Sequence, residues 1–165
     1  ADITCVGKSI SGGMGAISAI LTSNEVASQI GFGEHGSTFG GNPLSMAIAS
    51  AAIDVIQDEN LVENSHNMGL IMRERFNEFK KHSNIIRDVR GKGLMSAIEI
   101  ERDSRVTGHD FANILMADGV LTKATKDYIC RFTPPLVINE QEVHEVANIV
   151  SNAITKLENL NASKQ

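Results

Sequence analysis

The sequence lacks most features that mark membrane, metal-binding or nucleic-acid-binding proteins. No run of about eighteen apolar residues occurs, so we expect no membrane-spanning helix. The two cysteines and five histidines lack the spacing of metal ligands, so no metal site is expected. The net charge is -5, and no basic stripe is interleaved with aromatic residues, which argues against nucleic-acid binding. Cys5 and Cys130 lie in apolar segments and are predicted to be buried, reduced thiols.

The apolar pattern predicts a mixed α/β protein. Hydrophobic residues make up 42% of the 165 residues, enough for a sizeable core. Short apolar runs predict strands, and apolar residues at helical spacing predict helices. The predicted strands are 2–7, 16–23, 85–91, 94–101, 120–125 and 128–132, the first two of them buried, and the predicted helices are 24–31, 43–59, 59–80, 108–119 and one from 139 onward.

A change in composition near residue 58 divides the chain. Before it, Gly, Ala and Ser dominate and charged residues are sparse; after it, the sequence is an ordinary charged α/β mixture. We therefore predict that residues 1–57 belong to one layered domain and that residues 58–165 form a second, small α+β domain.

The segment GFGEHGSTFGGNP, residues 31–43, begins with the pattern G-x-G-x-x-G of dinucleotide-binding loops. That function needs a strand before the first glycine and a helix starting within the motif. Here a predicted helix precedes the motif and loop-like residues follow it, which argues against dinucleotide binding. Two interpretations remain: Ser37, Thr38 and the following helix N-terminus contact a phosphate, or the segment is a glycine-rich connector capped by Asn42.

Lys8 directly follows the first predicted strand. A lysine that loses solvent there gives up its proton readily, and the neutral amine is a nucleophile that forms Schiff bases with carbonyl groups. The alternative is an ordinary lysine whose stem lies on apolar surface while its charge reaches water.

Arg131 lies within the apolar run 128–132, ahead of two prolines. The planar guanidinium of a half-buried arginine suits a carboxylate partner. That partner is either a ligand or an internal acid such as Glu99 or Asp127. Arg90, at a predicted strand end, is more typical of a structural arginine.

Four segments occur together in one known family. GKSISGG, GEHGSTFGGNPL, VRGKGLMSAIEI and ICRFTPPLVI stand in the order found in the class III aminotransferases, which use pyridoxal 5'-phosphate. The sequence resembles that family over residues 1–158, most strongly its ornithine-specific branch. The resemblance implies a partial PLP-dependent transferase fold type I: the C-terminal part of the large domain, residues 1–57, and the small C-terminal α+β domain, residues 58–165.

The resemblance also implies roles for individual residues. Lys8 matches the lysine that binds the cofactor covalently and then moves a proton between substrate and cofactor. Thr38 matches the residue that holds the cofactor phosphate, with Ser37 as a helper. In the family this threonine serves the other subunit's site, so a homodimer is implied. Arg131 matches the arginine that binds a carboxylate of the amino or 2-oxo acid.

The implied reaction moves the δ-amino group of ornithine to 2-oxoglutarate, giving glutamate semialdehyde and glutamate. An acetylornithine or other ω-amino-acid aminotransferase, or a non-catalytic dimerisation module of the same fold, is the alternative. The resemblance is compatible with the mitochondrial matrix or the cytosol, and neither a membrane nor a nucleic-acid partner is expected.

Two departures from the family qualify these expectations. The segment MGAISA, residues 14–19, lacks the proline that the family usually has before its second strand, so the turn after Lys8 is expected to differ. The family's acidic partner of the cofactor ring, its ring-stacking aromatic residue and its first phosphate loop lie upstream of the lysine. We therefore expect the chain to be the C-terminal portion of a longer enzyme, inactive by itself.

Overall fold

The computed structural model describes residues 1–164, which form a mixed α/β structure. By their contacts they divide into two compact units, Ala1–Asn60 and Leu61–Gln165. No helix among the described residues combines the length and apolar character that a membrane span requires. The assignment of residues 1–57 and 58–165 to domains of a larger enzyme stays a prediction.

The first unit contains a two-stranded ribbon and two helices. The strands are antiparallel, with Cys5 opposite Ile20. A short 3₁₀ turn follows the first strand. The elements are β1 (Ile3–Val6), the turn Lys8–Ser11, β2 (Ala19–Thr22), α1 (Asn24–Ala27) and α2 (Pro43–Asp58).

The prediction that the first two strands are buried is wrong. Ile3 is 54% exposed and Ile20 is 68% exposed, and Cys5 is also exposed instead of buried. Backbone pairing satisfies the polar groups of the ribbon, but a ribbon of two strands cannot cover its own side chains. Apolar composition therefore predicted the strands correctly and their burial incorrectly.

The second unit contains a four-stranded antiparallel sheet and three helices. The strand order is β3-β4-β6-β5, so β4 and β6 are central. The hairpin turn between β3 and β4 lies at Gly93 and Leu94, and Gly93 takes a positive φ of 53°. The elements are α3 (Leu61–His82), β3 (Ile86–Lys92), β4 (Met95–Ile100), α4 (Gly108–Ala117), β5 (Lys123–Thr125), β6 (Ile129–Phe132) and α5 (Glu140–Ser163).

The core of this unit lies on one face of the sheet. Phe132 of β6 packs the sheet against two helices. Its ring centroid is 5.0 Å from that of Phe76 on α3 and 6.5 Å from that of Phe111 on α4. Helix α5 contributes a stripe of buried residues at helical spacing: Val143, Ala147, Val150, Ala153, Ile154 and Leu157. Its predicted cap is confirmed, because Asn139 and Glu142 form a reciprocal capping box. The other sheet face, called the open face below, carries both apolar and polar side chains, among them Met95, Ala97 and Arg131.

We expect residues 61–165 to fold without residues 1–60. Of the buried hydrophobic side chains, all but Ala49 belong to the second unit, and burial of apolar surface is the main force in folding. Expressed alone, residues 61–165 should unfold cooperatively in urea, with coincident transitions in far-UV and near-UV circular dichroism. Residues 1–60 alone should show no cooperative transition, and a cooperative transition there would contradict this account.

Helix α3 packs against the β3–β4 turn through three residues spaced four apart along the helix, Ser65, Gly69 and Arg73. The side chain of Arg73 donates to the carbonyl of Gly93 at 2.5 Å, and the hydroxyl of Ser65 accepts from the amide of Leu94 at 3.1 Å. Between them lies Gly69, where an added Cβ would overlap the Gly93 carbonyl. The close approach of helix and turn therefore requires glycine at this position.

The substitution Gly69→Ala should lower the free energy of unfolding of the full-length protein by about 1–3 kcal/mol, because overpacking costs that much. Helix propensity alone predicts the opposite sign, a gain of about 1 kcal/mol. The exposed Asn67 on the same helix supplies the control, since Asn67→Ala should be neutral or stabilising. If urea denaturation gave both variants the same gain in free energy of unfolding, the contact between Gly69 and the turn would have room for a methyl group.

Candidate functional site

Lys8 follows β1 by two residues and begins the 3₁₀ turn Lys8–Ser11. Its side chain is exposed and borders a small cleft that is otherwise lined by Ala16, Ile17 and Ser18. The loop beyond the turn is closed by Ser11, whose buried hydroxyl donates to the carbonyl of Gly15 at 2.6 Å. The chain therefore presents the lysine amine at a strand end, beside a loop that is tied by its own hydrogen bond.

The backbone of Lys8 is in the left-handed region, with φ at 55°. Only three other residues besides glycine share this property among residues 1–164, and they lie in the connections between elements: Asn60, Lys126 and Asp127. A left-handed conformation costs a residue with a Cβ about 1–2 kcal/mol. Lys8 is thus one of four non-glycine residues among residues 1–164 whose backbone carries such strain, which is frequent at functional sites but not confined to them.

The loop of residues 31–42 is not a dinucleotide-binding loop. It follows α1 instead of a strand, and the next helix, α2, begins only at Pro43. Gly31 and Gly33 instead belong to a local turn, which is tied by the Glu34 carboxylate accepting from the amide of Gly31 at 2.5 Å. The argument against dinucleotide binding is thus confirmed by the order of elements.

Ser37 and Thr38 lie four to five residues before the cap of α2. The Ser37 hydroxyl oxygen accepts from the amide of Gly40 at 3.0 Å, which leaves its proton free to donate. Thr38 is exposed, and no side-chain hydrogen bond to another of residues 1–164 occupies its hydroxyl. The capping prediction is confirmed, because Asn42 accepts from the amide of Ser45 at 2.9 Å and Pro43 fills the first turn.

This loop has the donor set that a phosphate group needs. Two hydroxyls are available beside the N-terminal end of a 16-residue helix, whose dipole favours an anion. At Gly36 and Gly41 an added Cβ would meet open space, and Gly41 has φ at 68°, so the backbone can approach a ligand closely. The loop by itself therefore offers hydrogen-bond donors of the kind that bind a phosphate group.

Arg131 lies in the second unit, on the open face of the sheet. Its neighbours on β6, Cys130 and Phe132, point into the core, so strand alternation turns Arg131 outward. Arg131 pairs with Ala97 on β4 and with Lys123 on β5. The small alanine leaves room above the central strand, in a shallow pocket that Arg131 shares with Arg90 and Ile129.

The predicted internal partners of Arg131 are wrong. Glu99 is only 7% exposed and binds Arg90 at 2.8 Å and Arg102 at 3.1 Å, while Asp88 binds Arg90 at 2.8 Å. The hydrogen bond from Arg90 is the main reason that the pKa of Glu99 lies below its usual range, although desolvation opposes it. No carboxylate among residues 1–164 lies within ion-pair distance of Arg131, Asp127 included.

The structure thus distributes the predicted residues over both units. Lys8, Ser37 and Thr38 belong to the first unit, where no hydrogen bond joins Lys8 to the two hydroxyl residues, and Arg131 belongs to the second. Arg90 has the structural role that its position suggested. Lys123 lies opposite Arg131 on β5, a pairing that becomes visible only once the register of β5 and β6 is known.

Comparison with known proteins gives the class. The family described as Aminotransferase class-III matches residues 1–154. The chain therefore belongs to the class III aminotransferases. Solved structures of such enzymes superimpose closely on it, and its fold is part of the PLP-dependent transferase fold type I, as the motifs predicted.

Individual relatives are named for two related substrates. The mitochondrial ornithine aminotransferase of Rattus norvegicus is 41% identical over 153 residues, covering 93% of this chain and 34% of the relative. The acetylornithine aminotransferase from Elizabethkingia anophelis is 40% identical with a TM-score of 0.88, covering 94% of this chain and 41% of that one. The ornithine aminotransferase from Toxoplasma gondii, whose active site holds PLP at partial occupancy, is 33% identical with a TM-score of 0.92, covering 98% and 38%. The chain thus spans about a third of the length of its curated relatives.

The backbone strain at Lys8 can be tested by stability measurements, without an activity assay. Lys8→Gly and Lys8→Ala both remove the amine, but only glycine relieves the left-handed backbone. The glycine variant of the cofactor-free, full-length protein should exceed the alanine variant in free energy of unfolding by about 1 kcal/mol. At Ser9, which has no positive φ, the order should reverse. An alanine variant at Lys8 as stable as the glycine variant would show that the backbone there carries no strain.

Proposed function

We propose that this chain supplies the covalent lysine, the phosphate loop and the carboxylate-binding arginine of an ornithine aminotransferase dependent on pyridoxal 5'-phosphate. The amino group would pass from the δ-carbon of ornithine to 2-oxoglutarate, giving glutamate semialdehyde and glutamate. The observation that carries the proposal is the combination of about 40% identity to ornithine aminotransferases with an exposed lysine held in a strained conformation at a strand end.

Lys8 has the central role in this proposal. When bound, the cofactor supplies an electron sink that allows the substrate C–H bond next to nitrogen to lose its proton. The amine of Lys8 would hold the cofactor, and its Nζ would accept that proton as a general base and return it as a general acid.

The loop holds the anionic end of the cofactor. The hydroxyls of Ser37 and Thr38 donate hydrogen bonds to phosphate oxygens, and the N-terminal end of α2 adds a favourable dipole. The family resemblance assigns Thr38 to the site of a second subunit. We therefore include a homodimer in the proposal, in which this loop of one protomer completes the site of its partner.

Arg131 binds a carboxylate of the amino acid or the 2-oxo acid. Its guanidinium is exposed and free of acidic partners within residues 1–164, and its planar fork matches a carboxylate with two parallel hydrogen bonds. Arg90 cannot take this role as readily, because Asp88 and Glu99 already occupy it.

The second candidate is an acetylornithine aminotransferase, which the 40% identity to the Elizabethkingia anophelis enzyme supports. A non-catalytic dimerisation module of the same fold is the third. The 165 residues alone are expected to be inactive, because they match about a third of the length of the relatives named as aminotransferases.

Assays of the full-length protein with ornithine, acetylornithine and 4-aminobutyrate as donors and 2-oxoglutarate as acceptor separate these candidates. Ornithine should give the highest kcat/KM.

Lys8→Ala should lower kcat by about 10²–10⁴-fold, since it removes the general base. Arg131→Gln should raise KM for the oxo-acid acceptor about tenfold or more, because the acceptor carboxylate loses its charged partner. Preference for acetylornithine would favour the second candidate, and activity that survives Lys8→Ala would refute the assignment of the lysine.

A further inference from the structure

The connection between β1 and β2 carries Lys8, and its composition does little to restrain it. It spans residues 7–18, and four of these twelve residues are glycine while none is proline. Glycine leaves the backbone its widest choice of conformations. Lys8 nevertheless has its left-handed φ of 55° here, a conformation that persists only where the surrounding structure enforces it. A contact within the connection must therefore hold the backbone at Lys8.

Ser11 makes a contact of this kind. Its side chain is 1% exposed, and among residues 1–60 no other polar side chain is buried. The Ser11 hydroxyl donates to the carbonyl of Gly15 at 2.6 Å and accepts from the amide of the same residue at 3.4 Å. One side chain thus binds both backbone groups of Gly15 and closes residues 11–15 into a loop.

The loop that Ser11 closes lies against helix α2. A Cβ added at Gly12 would be 3.5 Å from the Cβ of Ala52, and one added at Gly15 would be 4.0 Å from the Cδ1 of Ile48. Ala52 and Ile48 are four residues apart and therefore neighbours on one face of the helix. Both ends of the closed loop are thus placed on a single rigid element.

The same loop relates the two sides of the cleft at Lys8. Lys8 and Ser11 are the first and last residues of one 3₁₀ turn, in which the amide of Gly12 donates to the carbonyl of Ser9 at 2.9 Å. The facing wall, residues 16–18, follows Gly15 directly and encloses with Lys8 a cleft of about 330 Å³. Loss of the bond between Ser11 and Gly15 would free these two sides to move relative to each other.

We propose that Ser11 is a positioning residue for Lys8. Its hydroxyl fixes the loop of residues 11–15 and thereby holds the Lys8 backbone and the facing wall in the arrangement from which the amine reaches the cofactor aldehyde. Ser11 acts through the backbone, because its side chain is buried and its one hydroxyl proton is donated to Gly15. This role rests on the proposed function, in which Lys8 binds the cofactor.

The test separates covalent binding at Lys8 from non-covalent binding of the same ring and phosphate. Pyridoxal 5'-phosphate binds covalently when the neutral lysine amine adds to its aldehyde and water leaves, whereas pyridoxamine 5'-phosphate has an amine in place of the aldehyde. In calorimetric titrations of the full-length protein, Ser11→Ala should weaken pyridoxal 5'-phosphate binding about tenfold, because the lost hydrogen bond no longer holds the amine in position. Binding of pyridoxamine 5'-phosphate should change by less than about twofold.

Two further variants serve as controls. Ser9→Ala removes a hydroxyl from the same turn, at an exposed residue whose side chain makes no hydrogen bond within residues 1–164, and should change neither affinity. Ser11→Thr keeps a hydroxyl on the same carbon and should recover most of the affinity for pyridoxal 5'-phosphate.

Three results would overturn the role of Ser11. Equal weakening of both ligands by Ser11→Ala, which includes a variant that does not fold, would show that Ser11 supports the whole site and not the position of Lys8. Unchanged binding of pyridoxal 5'-phosphate would show that the hydroxyl has no influence on Lys8. A loss in Ser11→Thr equal to that in Ser11→Ala would show that the hydroxyl is not the group responsible.

The proposed function fails by a different result. If borohydride reduction of the unaltered protein attaches the cofactor to a lysine other than Lys8, the proposed function is wrong. If Lys8 is labelled and Ser11→Ala leaves the ratio of the two affinities unchanged, only the role of Ser11 is refuted.

Discussion

The alternation of side chains along β6 is the constraint on which the second unit depends. Cys130 and Phe132 point into the core, where burial raises the pKa of the Cys130 thiol to about 11, and Arg131 points to the open face. Phe132 contacts aromatic rings from two helices, so the direction of Arg131 is fixed by packing on the opposite side of the strand. A slip of one residue would bury the guanidinium and expose the phenylalanine, which the core cannot tolerate.

In the part of the chain that the structure describes, the first unit contributes only Ala49 to the buried hydrophobic side chains. Its ribbon and loop expose most of their apolar side chains, including Phe32 and Phe39 on either side of Ser37 and Thr38. Three local features define the backbone shape of these segments: the left-handed turn at Lys8, the Ser37 turn and the Asn42 cap. Local hydrogen bonds and caps specify loop shape at a modest energetic cost, which suits a segment whose donors remain free for a ligand.

Much of the fold could be predicted because its signals are local. The caps of α2 and α5, the helical stripe of α5 and the positions of the strands follow from residues close in sequence. Burial of the ribbon could not be predicted, since it depends on which layers cover the strands. Glu99 was named as a possible partner of Arg131 but binds Arg90 instead, because the register that brings Arg90 to it is a property of the paired strands. The pairing of Lys123 with Arg131 could not be predicted for the same reason: the two residues lie eight positions apart in sequence, and only the hairpin makes them neighbours.

The central claim is that Lys8 carries the cofactor. The most direct measurement is to load the full-length protein with pyridoxal 5'-phosphate, reduce it with borohydride, digest it and locate the added mass by mass spectrometry. The account predicts a single modified peptide with the added mass on Lys8, and no such peptide from the Lys8→Ala variant. Stoichiometric modification of another lysine, with Lys8 unmodified, would contradict the account.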